Sequence, residues 1–187
     1  MEWCVYVGQK AKLNYKIGFD NGVWGQKSIF KSSRLREIQE GDTVYFFHDI
    51  KRLTPPEGNE KEGNLRIKLV DYARLGGFAR EVKVCKVTKG FYENTSSIWP
   101  DDVYPYRYDF EEIQTMKDVP VGIEFQGDEV VKNLLKSILT KGDAVPIGDA
   151  AVDFNGEYLP IQDSELASEA LEGKPIYKLH LLRERDK

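Results

Sequence analysis

Apolar and polar residues alternate in run after run of this chain, and that period of two constrains its fold more than any other feature. Glu2 to Gly8 alternates around Trp3, Val5 and Val7. Thr43 to Asp49, Leu65 to Tyr72 and Gly76 to Thr88 read as further strands, and Tyr104 to Ile113 alternates aromatic with polar residues and closes the sheet. Helical spacing enters in three places. Ser28 to Ile38, with Ser28 available as a cap, predicts a short helix. From Asp128 onward Val130, Val131, Leu134, Leu135, Ile138 and Leu139 recur at helical steps, with Asp128 as cap and a stop near Gly142. A weaker helix is predicted over Ser164 to Leu171, followed by a final strand from Ile176 to Leu182. The Lys-, Gly- and Asn-rich stretch Gln9 to Gly25 reads as loop, as do Lys51 to Asn64 and Lys89 to Ser97. The expected class is α+β, a curved sheet or small β-barrel with flanking helices.

At 187 residues the chain suits one domain with an appendage. Cys4 and Cys85 both fall in alternating apolar runs, so they are read as small buried hydrophobes in a reducing compartment. With no apolar run near the ~18 residues of a membrane span and no signal-peptide core, the chain is expected to be cytoplasmic. Catalysis is disfavoured. There are two histidines, His48 and His180, each inside a strand, and neither a zinc spacing, a nucleophile elbow nor a phosphate-binding Gly-Lys loop is present. The carboxylate pairs Asp101-Asp102 and Glu111-Glu112 are read as strand neighbours facing opposite ways. The net charge of −4 argues against a protein that coats nucleic acid by charge alone, but the distribution is uneven. Residues 1–36 hold seven cations against two carboxylates, a local excess of +5 that leaves −9 for the remainder. Lys10, Lys12, Lys16, Lys27, Lys31 and Arg34 are therefore candidate contacts to a nucleic-acid backbone.

That basic segment carries Gly22-Val23-Trp24-Gly25, which is followed by the apolar run Val44 to Phe47, by Gly77-Phe78-Ala79-Arg80, and by a second tryptophan in Ile98-Trp99-Pro100-Asp101-Asp102. The order resembles the YTH and EVE branch of the PUA-like superfamily, over roughly residues 1–125. Residues 126–187 look like a helix, helix and strand extension packed on the same domain, of the kind that accompanies EVE-type domains of McrB-like modification-dependent restriction proteins. The resemblance implies an aromatic cage for a modified nucleobase. Trp24 would form one wall and Trp99 the opposing one, and Asn14, ten residues before Trp24, would hydrogen-bond the base edge, with Asn21 as its rival. Many YTH domains have serine after the tryptophan; here the Gly25 carbonyl would accept from the exocyclic N–H. Phe46 and Phe47 point to opposite faces, so one is core and the other, taken as Phe47, floors the pocket. Tyr106, on one face with Tyr104, would complete it.

The function implied is recognition of a modified base, N6-methyladenine in DNA first of all, flipped into the cage. The NTPase domain and nuclease of the restriction system would lie outside this chain, and Arg183 to Lys187 reads as the start of a linker. Lys51-Arg52-Leu53 or the segment with Phe91 and Tyr92 would fill the gap left by the flipped base. The alternatives are a reader of modified RNA or of methylated or hydroxymethylated cytosine, and an ASCH-type nucleoside hydrolase using Lys16 or Lys27.

Overall fold

A computed structural model describes residues 1–52, 65–67, 76–147 and 177–181. Its centre is a strongly curled mixed sheet. The strands are β1 (Glu2–Val7), β2 (Val23–Gln26), β3 (Thr43–Arg52), β4 (Leu65–Ile67), β5 (Gly77–Glu93), β6 (Tyr106–Val121), β7 (Val145–Pro146) and β8 (Tyr177–Leu181). The main path runs β2, β6, β5, β3, β1, β7, with β8 joining β3 and β4 pairing with β8. β1 runs parallel to β3, and β5 forms antiparallel ladders with β3 and β6. The helices are α1 (Lys12–Asn21), α2 (Ile123–Gln126) and α3 (Asp128–Leu139). The class is α+β, as expected.

Alternation gives the sheet two apolar faces, and each is covered. One face, with Cys4, Tyr45, Phe47, Val82 and Met116, packs against the Val130, Val131, Leu134, Leu135 and Ile138 stripe of α3. The other, with Trp3, Val5, Phe46, Cys85 and Phe110, packs against Tyr15 of α1, Trp24 and Leu35. Both cysteines are buried and unbridged. Asp128 opens α3 without capping it; Gly127 is the cap residue, and Asp128 and Glu129 instead place negative charge at the positive end of the helix dipole.

Two helix expectations change. Residues 28–34 form no helix, and only the single 3-10 turn Leu35–Glu37 interrupts an irregular path. The segment lacks a repeating i, i+4 stripe: it buries Leu35 and Ile38 while leaving Phe30 at the surface. The stretch read as loop contains α1. Its buried residues are few, Tyr15 and Gly18, and its apolar residues Leu13, Tyr15, Ile17 and Phe19 fall at steps of two rather than in a helical stripe, which conceals it. Gly22, at φ 64°, ends the helix in the left-handed conformation that favours glycine. Strand lengths change too: β5 continues to Glu93, so Phe91 and Tyr92 lie in the sheet, and β6 runs to Val121. The described part of the expected strand Leu65 to Tyr72 is β4. Leu53 and the expected helix over Ser164 to Leu171 lie outside the described residues.

Midway along the sheet three neighbouring strands slip out of phase together. Phe47 and Ile50 of β3, Ala79 and Val82 of β5, and Met116 and Val119 of β6 all point into the α3 core, although strict alternation forbids a spacing of three. Asp49 (φ 53°) and Asp118 (φ 51°) take up the slip in left-handed conformations that non-glycine residues seldom adopt. The pairings on either side stay one to one, so the row bends without losing register.

Candidate functional site

Two sites flank α1. On one side the chain gathers a tryptophan cluster. Trp24 on β2 meets Trp99, from the segment between β5 and β6, edge to face, with centroids 6.4 Å apart and planes at 86°. Trp24 also packs edge-on against Phe46 and Tyr15, and Tyr104 lies edge-on to Trp99 at 5.3 Å. The Trp99 indole N–H donates to the Asn14 carbonyl at 2.9 Å. The Asn14 side-chain amide donates to both Asp101 carboxylate oxygens (2.9 and 3.1 Å) and to the Tyr104 hydroxyl (3.2 Å), which itself donates to Asp101 at 2.6 Å. Hydrogen bonds from Tyr104 and then Asn14 hold the Asp101 carboxyl below its ordinary range, while burial and the same Asp101 push the Tyr104 hydroxyl up to about 12.

Residues 94–105 are fastened from below. Arg107 is 1% exposed and donates to the carbonyls of Tyr104 and Val103, to the Ser96 hydroxyl and to the Ser96 carbonyl, with its guanidinium over the Trp99 ring. Gly25 is required by closeness: a Cβ there would sit 2.8 Å from the Tyr104 carbonyl and 3.0 Å from Trp99. The cluster is closed as it stands, with Trp24 9% and Trp99 3% exposed.

Asn14, Trp24, Gly25 and Trp99 thus come together from three separate segments, and the other three cage candidates lie elsewhere. Asn21 ends α1, where its amide donates to the Ile17 carbonyl. Phe47 points into the α3 core, on the far side of the sheet from Trp24; Phe46 is the one that touches the cluster. Tyr106 stacks on Phe91 under Arg36 rather than joining Tyr104, because Tyr104 (φ 48°) precedes the strand and is turned away. Asp101 and Asp102 are loop residues, not strand neighbours, and Asp102 pairs with Lys27 at 2.6 Å. Lys10 and Lys31 are exposed, and Arg34 pairs with Glu37. Of the six candidate backbone cations, Lys12 and Lys16 help to line a single cleft.

That cleft, about 410 Å³, lies on the other flank of α1, where the helix leaves the sheet uncovered beside the kinked row. His48, Glu81 and Lys117 stand directly opposite one another on β3, β5 and β6 and form its floor. The Tyr15 ring stacks on His48 at 4.5 Å, and its hydroxyl donates to Glu81 at 2.9 Å. Lys117 also pairs with Glu81. His48 Nδ1 lies 3.0 Å from the Val7 carbonyl; a carbonyl only accepts, so Nδ1 carries the proton and Nε2 keeps its lone pair. Burial holds the imidazole below its ordinary value; the Val7 bond and Asp49 oppose this, and Lys12 and Lys117 add to it. Reading along the sequence missed His48, Glu81, Lys117 and Arg107. A histidine or glutamate inside an alternating run carries no signal of its own, and Arg107, between Tyr106 and Tyr108, falls at a position that alternation assigns to solvent, so only the structure shows that it is buried.

Among the described residues no group of side chains is arranged to hold a metal ion, and no helix is long and apolar enough to cross a membrane. No protein-family model and no curated protein matches the chain. Among solved structures it is similar to the NMR structure of Rpa0253 from Rhodopseudomonas palustris, with a TM-score of 0.40 and 12% sequence identity over 79% of this chain and 85% of that one.

Proposed function

We propose that this chain is a nucleic-acid-binding module, with a PUA-like fold, that captures a modified base at the tryptophan cluster, N6-methyladenine in DNA being the base favoured. The observation that carries the reading is the convergence of Asn14, Trp24, Gly25 and Trp99 on one spot at the surface end of α1, although Trp99 is 85 residues from its hydrogen-bond partner Asn14. Two indoles, a side-chain amide and a glycine backbone without a side chain of its own are the parts a flat heterocycle needs: stacking faces and a polar edge.

The perpendicular contact of the indoles means that a base enters only when Trp99 and Tyr104 move off Gly25. That movement exchanges the Asn14 bonds to Asp101 and Tyr104 for bonds to the base edge. Stacking contributes about 1–3 kcal/mol per face. The methyl group alone contributes about 0.8 kcal/mol; an unmodified base would also leave an N–H facing apolar walls, at about 1–3 kcal/mol. Together these give a preference on the order of tens to hundreds. In this reading the chain is the specificity module of a McrB-like restriction system whose NTPase and nuclease are supplied elsewhere.

The test is fluorescence-anisotropy titration of matched duplexes, with one adenine plain or N6-methylated, at fixed salt. The wild type is compared with Asn14→Ala and Trp99→Ala, each checked for folding by circular dichroism. Tighter binding of the methylated duplex, lost in both variants, is the expected result. Equal binding of the two duplexes overturns the methyladenine assignment and moves the search to modified cytosine and to RNA.

A further inference from the structure

We propose that the cleft between α1 and the kinked row of β3, β5 and β6 is a second binding site, independent of the tryptophan cluster, for a phosphomonoester. Its lining carries five cations, Lys12, Lys16, Arg80, Lys83 and Lys117, against two carboxylates, Asp20 and Glu81. Glu81 does not oppose an incoming anion, because Tyr15 and Lys117 already hold it and Lys83 stands 4.0 Å away. Lys83 is committed to Glu112 and Arg80 to Asp49, both outside the lining. Lys12 has no ion-pair partner among the described residues, and Lys16, Arg80 and Lys117 are more than half exposed. The Lys16–Asp20 pair is exposed on both sides and contributes little, so Lys16 can turn with Lys12 to an incoming anion at small cost, while Lys117 and Arg80, which carry further N–H donors, stay on Glu81 and Asp49 and bridge to the anion from there.

His48 fixes the chemical class. Its Nε2 has no partner among the described residues, and its Nδ1 is locked as a donor to Val7, so beside the Glu81 carboxylate, which Tyr15 and Lys117 hold, the cleft floor presents an acceptor that nothing described satisfies. A sulfate-like anion is too weak a base to share a proton with that nitrogen, and would leave the whole charge on the imidazole. A phosphomonoester, whose second proton dissociates near pH 6, is not: one proton is shared between Nε2 and a phosphate oxygen while the lysines and arginine hold the remaining oxygens. Binding of the dianion near pH 7.5 therefore takes up a proton. The groups that face this proton are Lys12, Lys16, Tyr15 and Asp20 from α1, Asp49 from β3, Arg80, Glu81 and Lys83 from β5, and Glu112 and Lys117 from β6. The bent backbone at Asp49 and Asp118 lies directly beside the floor residues His48 and Lys117.

The experiment uses the full chain and inorganic phosphate at pH 7.5. It follows the imidazole C–H signals by NMR, with His180→Gln to assign the two histidines, and proton uptake by calorimetry in buffers of different ionisation enthalpy. A saturable shift of the His48 signals with proton uptake is expected. Lys12→Ala and Lys117→Ala should each weaken binding about tenfold, and His48→Gln should abolish proton uptake while binding is retained. Shifts equal to those from sodium chloride at matched ionic strength, or undiminished in the Lys12→Ala/Lys117→Ala double variant, overturn the proposal. Titration with an oligonucleotide bearing a 5′-phosphate and with its 5′-hydroxyl counterpart separates the sources: a response only to the phosphorylated strand assigns a nucleic-acid terminus, and equal response to free mononucleotide assigns a small phosphorylated ligand. Neither arm uses a methylated base or Trp24, so the base-capture reading can fail without touching this one.

Discussion

The two flanks of α1 solve opposite problems with neighbouring residues. On the Asn14 side, indole and phenol rings pack edge to face, and the Asn14 amide, the Tyr104 hydroxyl and the Trp99 indole N–H are bonded inward, to Asp101, Tyr104 or the Asn14 carbonyl. On the Tyr15 side the floor is polar, Lys16 is held by an exposed partner, and one imidazole nitrogen has no partner among the described residues. The difference teaches that a site can be stored in two ways. The tryptophan cluster is stabilised by its own closure and must be opened at a cost; the cleft stands open and gives up at most the exposed Lys16–Asp20 pair.

The largest expected effect tests the closed half. Trp99→Ala or Trp24→Ala should lower unfolding free energy by about 3–5 kcal/mol in urea titrations, as truncation of buried aromatics does. A loss below about 1 kcal/mol would mean that the cluster is already loose and the contrast with the cleft is false. Next come Gly25→Ala, which pushes a methyl group into Trp99 and the Tyr104 carbonyl, and Arg107→Leu, which strips donors from residues 96–104. Each should cost about 1–3 kcal/mol by the same assay. Tyr108→Phe runs the other way. Its hydroxyl is buried without a partner among the described residues, so removing it should leave stability unchanged or raise it by up to about 1 kcal/mol, and a clear loss would reveal a bound water.

The open half should respond to pH instead. His48 is held below its ordinary 6.5, so the unfolded chain takes up the proton first. Its contribution is whole above that value and is lost as pH falls through 6.5 towards the folded-state value. Unfolding titrations across that window should show this loss in the wild type and a smaller one in His48→Gln. The smallest effect belongs to the exposed pair of Lys16 and Asp20, where Lys16→Ala should cost no more than about 0.5 kcal/mol.

Most of the sheet was legible. Trp3, Val5 and Val7, Val44 and Phe46, and Cys85 and Val87 share a face because the strand period is two and the sequence obeys it there. The α3 stripe was equally plain, since one buried face of a helix needs apolar residues at steps of three and four. The α1 helix was not, because a helix that buries little besides Tyr15 and Gly18 has no stripe to read. Phe47 went to the wrong side because alternation says only that Phe46 and Phe47 part company, not which face holds Trp24.

The sequence by itself therefore determined which residues must leave water and with what period, since burial of apolar surface is written locally, residue by residue. It also supplied the tryptophans, the glycine between them and the asparagine as a set. Tertiary structure alone decided that the indoles meet edge to face under Tyr104, that Arg107 holds residues 94–105 in place, and that three strands kink in one row. It alone set His48, Glu81 and Lys117 side by side, because register and kink depend on how neighbouring strands settle against two cores, and no single strand carries that information.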